Sequence, residues 1–321
     1  MWKTIIRRVL IMVPQIIILS LIVFFLAKLM PGDPFTGSGK LSPQMDLNQI
    51  QAIKKELGLL DPLPVQYFRW IGNILHGDLG MSYAYKVPVI NLIAERAGNT
   101  IWLSLFSVLL TYLIAVPLGV LAGRYQGTHI DGGISFYAFA IIAIPGFVFY
   151  LLGLWLFGYQ LGWFPTTGSI SIAADGLLAK FFSRIYHMIL PAILSSVIST
   201  TGIIQYLRSG IIDNTQEDFT RTARAKGVPE RIVFDRHILR NSLLPIAAFM
   251  GNTITGLIGG SVFIENVFSY PGMGKLFIDS MNSNDYPIIT SLTLLFGLMT
   301  LMGNLLSDII MSIVDPRIRI E

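Results

Sequence analysis

Six stretches of this chain are apolar for about the length of a bilayer crossing, and few folds remain open to such a chain. They run approximately over residues 9–30, 101–122, 134–159, 187–207, 243–267 and 287–314. Each meets or exceeds the roughly 18 mostly apolar residues that mark a membrane helix. Lipid offers no partner to exposed backbone groups, so spans close their hydrogen bonds within helices. The expected fold is an all-α integral membrane protein with six transmembrane helices. Prolines 14, 117, 145 and 191 fall within or at the start of these runs, where neighbouring helices tolerate them. Charged residues make up 13% of the chain, about half the usual share of a globular protein.

Lys3, Arg7 and Arg8 precede the first run and resemble the basic start of a signal peptide. The run is longer than a signal core, and no small-x-small cleavage site follows it. A retained first helix is expected. With both termini cytoplasmic, the inner side gathers Lys3, Arg7, Arg8, Arg124, seven basic residues between Arg208 and Arg240, Arg317 and Arg319. Short basic loops set topology, whereas long segments translocate largely regardless of charge. The division expected is a tail and first helix (1–30), an extracytoplasmic segment (31–99), a five-helix core (100–314) with a cytoplasmic loop at 208–241, and a tail (315–321). In the outer segment Leu47, Ile50, Ile53 and Leu57, then Val65, Phe68, Trp70 and Leu75, suggest two short amphipathic helices on the membrane face. Ser82 is expected to be accessible from outside and Thr220 from the cytoplasm. The basic charge belongs to membrane topology and lipid contact, not to nucleic acid, and with no cysteine disulfides and thiolate metal sites are excluded.

The cytoplasmic loop is patterned. Thr215 with Asp218 fits a capping box, placing a helix start near Gln216. Gly227 suits the left-handed residue after that helix, and Pro229 the first turn of the next. Ala223, Ala225 and Gly227 are small, so a partner's groove can close around them. A loop that only anchors to anionic lipid needs charge alone, and does not need this turn.

These residues resemble the EAA loop of permease subunits in ATP-binding-cassette importers, in the variant of dipeptide and oligopeptide permeases. The core "RTARAKG" (221–227) is followed by "HILRNSLLP" (237–245). "PGDP" (31–34), "LGLLDPLPVQY" (57–67), "GDLGMSY" (77–83), "GGSVFIENVFSYPGMGKL" (259–276), "DYP" (285–287) and "DPRIR" (315–319) extend the likeness along the chain. Arg221 stands where the general motif has glutamate, as in the peptide branch. The resemblance implies a type I importer permease in a bacterial cell membrane. It implies four further components: a homologous second permease, two ABC ATPase subunits that bind ATP and magnesium, and an extracytoplasmic peptide-binding protein. It also implies that Arg221, Thr222, Ala223, Arg224, Ala225, Lys226, Gly227, Val228, Pro229 and Glu230 couple the permease to its ATPases. Dipeptides, oligopeptides, glutathione and nickel chelates are all transported by such permeases.

No catalytic constellation is apparent. Histidines 76, 129, 187 and 237 lack metal-ligand spacing, and "GSGKLS" (37–42) lacks the first glycine and the final Ser or Thr of a phosphate loop. No cofactor is therefore expected in this chain. Glu265 and Asp308 lie toward span ends, so no ionisable group marks the middle of a span, which weighs against a stand-alone secondary carrier or channel. Among uncharged polar residues, Ser195, Ser196, Ser199, Thr200 and Thr201 in the fourth span, with Asn252, Thr253 and Thr255 in the fifth, are candidates to line a translocation path, Ser199, Thr200, Asn252, Thr253 and Thr255 foremost. Helix-helix contact is the alternative role for them.

Overall fold

The computed structural model describes residues 2–30, 51, 55, 60–259 and 262–314. The first amphipathic run (Leu47–Leu57), "GSGKLS", "PGDP" and "DPRIR" lie wholly or largely outside the described residues. Helix α1 spans Trp2–Leu29 and the short α2 spans Leu63–Leu75. Two long helices follow, α3 (Val89–Arg124) and α6 (Leu177–Gln216), separated by α4 (His129–Ile142) and α5 (Gly146–Gly153). A π-helical stretch, Leu154–Gln160, extends α5. After the polar loop come α8 (Leu244–Gly259), α9 (Val262–Val267), α10 (Met273–Asn282) and α11 (Tyr286–Val314).

Five of these helical stretches are long and apolar enough to cross a membrane, six if α4 and α5 count as one broken span. The third span is thus corrected. It is not one helix from 134 to 159 but two limbs that meet at 97°. Pro145 takes φ −55°, ψ 129°, outside the helical region, and residues before proline are themselves biased away from it.

Two packed helix pairs organise the bundle. Helix α3 lies along α6, and α8 along α11 with α1 on its outer side. In the first pair Gly119 and Gly123 let the backbones close: a Cβ on Gly123 would fall 2.7 Å from Ile211 Cβ. Small residues four apart commonly make such membrane contacts. Helix α2 lies on α1, as its amphipathic pattern requires. Tyr67 Oη and Ser20 Oγ are 2.8 Å apart, and Phe24 meets the rings of Tyr67 and Trp70.

One end of the bundle, the loop end, carries the turn 125–128 and the polar segment 217–243. The far end carries residues 60–88, 161–176 and 268–285. At the far end Val89, Leu92 and Ile93 pack with Met273, Leu276, Ile288 and Leu292.

Candidate coupling segment and transport cleft

The polar segment begins where α6 stops. Thr215 does not cap a helix, contrary to the capping-box expectation; it lies inside α6 and donates to the Ile211 carbonyl at 2.7 Å, the back-bond common for threonine within helices. The break falls two residues later, at Glu217, whose extended backbone (φ −66°, ψ 150°) precedes α7, Asp218–Ala225.

Helix α7 closes as a Schellman motif. The Gly227 N–H donates to the Arg224 carbonyl at 2.9 Å, and the Val228 N–H to the Ala223 carbonyl at 3.2 Å. Gly227 has φ +74°, where a Cβ costs roughly 1–2 kcal/mol. Val228 and Ala223 join the same apolar cluster, which supplies the hydrophobic contact usual for this cap. Pro229 (φ −53°, ψ 136°) stands just before the next turn, not within it. A return segment follows: a turn at Glu230–Ile232, a π-helical stretch at Val233–Leu239, and a turn at Arg240–Ser242.

Arg224 ties the two limbs together. Its Nη2 and Nε donate to Glu230 Oε1 at 2.7 Å and Oε2 at 3.0 Å, and this guanidinium holds the Glu230 carboxyl below its usual range. The inner face of α7 is fixed by Thr220, fully buried and donating to the Asn214 carbonyl at 2.7 Å, and by Ala223. Ala223 is buried against Leu207, Ile211, Val233 and Phe234, so it faces this chain's own helices and not a partner's groove. The outward face holds Asp218, Phe219, Arg221, Thr222, Ala225, Lys226 and Gly227. Phe219 is the exposed aromatic there, and the basic motif around it drew attention away from it in sequence.

The candidate path residues separate. A cleft of about 270 Å³ between α3, α6 and α8 is lined by the candidates Ser195, Ser199 and Thr253 but also by Ser104, Ser107, Thr111 and Tyr112. Tyr112 Oη and Thr253 Oγ1 face each other at 3.4 Å. Thr200, Asn252 and Thr255 do not line it. Thr200 is fully buried and pairs with Tyr137 Oη at 2.9 Å. Asn252 donates to Asn304 Oδ1 on α11 at 3.0 Å, and Thr255 is buried and back-bonds to the Gly251 carbonyl at 3.2 Å. They serve helix-helix contact. The hydroxyls of α3 were hidden in a strongly apolar run, where Ser107 and Thr111 each back-bond one turn away.

His76 and His187 make ordinary hydrogen bonds. Nδ1 of His76 and of His187 lies 2.7 Å from the Gly72 and Ser183 carbonyls, respectively. Among the described residues no His/Cys/Asp/Glu group is arranged to hold a metal.

The family model described as "binding-protein-dependent transport system inner membrane component" matches residues 115–320, and its N-terminal counterpart matches residues 1–104. The chain belongs to this family. It is a permease subunit of an ABC importer, with the type I membrane fold. The oligopeptide transport system permease protein AppB of Bacillus subtilis is 40% identical over 98% of both chains. Glutathione transport system permease proteins GsiC are similar too: that of Salmonella paratyphi A at 34% over 99% of both chains, and that of Pectobacterium atrosepticum at 35% over 98% of both.

Proposed function

We propose that this permease carries peptides, pairing with a homologous second permease to enclose the path, with two ATPase subunits on the cytoplasmic side and an extracytoplasmic peptide-binding protein opposite. Both termini are cytoplasmic, which puts the polar segment 217–243 on the ATPase side. The two proposed ATPase subunits bring the ATP and magnesium, and this chain is non-catalytic. Residues 221–230 form the coupling site, and the cleft beside Ser199 and Thr253 is this subunit's share of the path. The observation that carries this reading is the exposed face of α7, closed by a Schellman cap and stapled by Arg224 to Glu230. The segment is shaped to be gripped and displaced as a unit, which a lipid anchor does not require.

The peptide substrate is supported by the likeness to the oligopeptide permease over nearly the whole chain. Glutathione, a small peptide, is the second reading, because glutathione permeases are also similar. The ligand carried by the cognate binding protein separates them.

Coupling is tested with Gly227→Leu. Among the described residues beyond its two chain neighbours, nothing lies within 4 Å of the Cβ position, so the change strains the turn and enlarges the outward face without a clash against the rest of the bundle. Peptide uptake is expected to fall more than ATPase copurification does. Arg231→Gln, at a side chain 89% exposed, is expected to transport normally. A normal Gly227→Leu beside a failed Arg231→Gln would make the segment an electrostatic anchor. Topology is tested by cysteine labelling, for which the cysteine-free chain is suited. Ser82 and Thr220 are buried, contrary to the sequence expectation, so Ile172→Cys and Arg231→Cys are the sites to use. Ile172→Cys should label from outside, and Arg231→Cys only after permeabilisation; the reverse result inverts the proposed topology.

A further inference from the structure

The helix that enters the coupling segment and the limb that leaves it grip the same short hairpin between α3 and α4. The entering helix is α6, whose Arg208 donates through Nε to Asp131 Oδ1 at 2.6 Å and through Nη2 to Oδ2 at 2.9 Å. The Asp131 side chain is only 6% exposed. It also accepts the Gly127 N–H at 2.9 Å and the Ser135 hydroxyl at 3.3 Å, so one carboxylate holds both the turn and α6. The returning limb is the π-helical stretch, where the Phe234 ring lies 4.8 Å from the guanidinium carbon of Arg124. Arg124 is the last residue of α3, and α3 lines the transport cleft with Ser104, Ser107, Thr111 and Tyr112.

We propose that the 124–131 hairpin receives the motion of the coupling segment, with Arg208 and Phe234 as positioning residues that transmit it to cleft-lining α3 and to α4. A bidentate Arg–carboxylate pair fixes direction as well as distance, and a half-buried pair is little screened by salt. A push on α7 therefore reaches the hairpin from two sides, along α6 and along the return segment. Tyr137, which reaches Thr200 Oγ1 on α6 at 2.9 Å, straps α4 to the same helix further up. The bend at Pro145 turns α5 away from the axis of α4. The inference rests on the coupling role proposed for α7.

The test uses the complete importer in proteoliposomes and reads ATP hydrolysed per peptide imported. Arg208→Gln leaves the Asp131 bond to the turn in place and removes the ionic tie. It is expected to raise that ratio about tenfold, within the usual range of coupling between sites, with the ATPases still copurifying in wild-type proportion. Arg208→Lys keeps the charge but loses the two-pronged geometry, and its ratio is expected to fall between those of the wild type and Arg208→Gln. If Arg208→Gln does not assemble, Phe234→Leu, which keeps most of the volume but loses the ring over Arg124, decides the matter by a smaller rise. A purely structural role lowers uptake and hydrolysis in parallel at an unchanged ratio, and that result, in whichever variant assembles, overturns the proposal. A wild-type complex that takes up peptide without using ATP contradicts the coupling role itself, not the hairpin.

Discussion

The two ends of the bundle are held by different kinds of bond. At the far end, chain segments distant in sequence are joined by buried polar groups. Glu265, fully buried, accepts the Thr100 hydroxyl at 2.8 Å and the N–H groups of Gly274 and Lys275 at 2.7 and 3.1 Å. Thr100 in turn accepts the Met273 N–H. The carboxylate thus sits at the start of α10, where anions are favoured. Beside it, buried Asp285 accepts the Ser82 hydroxyl at 2.6 Å and the Ala84 N–H at 2.9 Å, tying the loop before α3 to the start of α11. At the loop end the half-buried Asp131–Arg208 pair holds the hairpin to α6, but the coupling segment itself is closed by Arg224–Glu230 and the cap at Gly227, which are local and open to water. The difference teaches which end is fixed: buried long-range bonds resist displacement, while a locally closed loop can travel as a unit.

The contrast is most exposed to failure at Glu265. Glu265→Ala leaves the Gly274 and Lys275 N–H groups and the Thr100 hydroxyl buried without their acceptor. It is expected to cost about 3 kcal/mol and to lower the melting temperature of the purified complex sharply. A loss no larger than that of Arg224→Ala would mean that the far end is not the fixed one. Gly123→Ala comes next. Its Cβ would crowd Ile211, and overpacking of this kind costs roughly 1–3 kcal/mol; adding Ile211→Ala should recover part of the melting temperature. No loss in the single variant would show that α3 and α6 are not locked as one body. The smallest effect belongs to Arg224→Ala, under about 1 kcal/mol because the pair is exposed. Here pH sharpens the comparison. The folded-state pKa of Glu230 is held below the usual 4.5. Its contribution is therefore complete above that value and is lost as pH falls through the folded-state pKa. The protection of the Gly227 and Val228 amides, taken relative to their intrinsic exchange rates at each pH, should fall in acid, and Glu230→Gln should remove that fall.

The spans were legible because lipid imposes one rule on the whole sequence: four of the six runs fall on single helices, and a fifth covers α8 and α9. Their ends were not legible. Helix α3 begins at Val89 and α6 at Leu177, well before their apolar cores, since polar helical turns outside the bilayer carry no hydropathy signal. The Ile144-Pro145-Gly146 step was visible as a turn signal, but unbroken apolarity across it outweighed the signal. In the loop, Gly227 was readable because only backbone chirality was at stake. Thr215, Ser82 and Thr220 were misread because polar side chains there bond inward to their own chain. The tie between Asp131 and Arg208, 77 positions apart, has no local signature, and so could not be found from spacing.

Helix α6 has 40 residues and is therefore about 60 Å long, twice the thickness of the hydrocarbon core. Treated as a rigid beam, it is a lever with an arm emerging on each side. A tilt of about 5° around its middle moves each tip by roughly 3 Å in opposite directions, comparable to the diameter of a water molecule. Such a small rotation at the Gln216 tip is felt at Leu177, on the other face of the membrane, with no change in any bond along the helix. Because Gly119 and Gly123 seat α3 directly against this beam, the transport cleft lies on the lever itself.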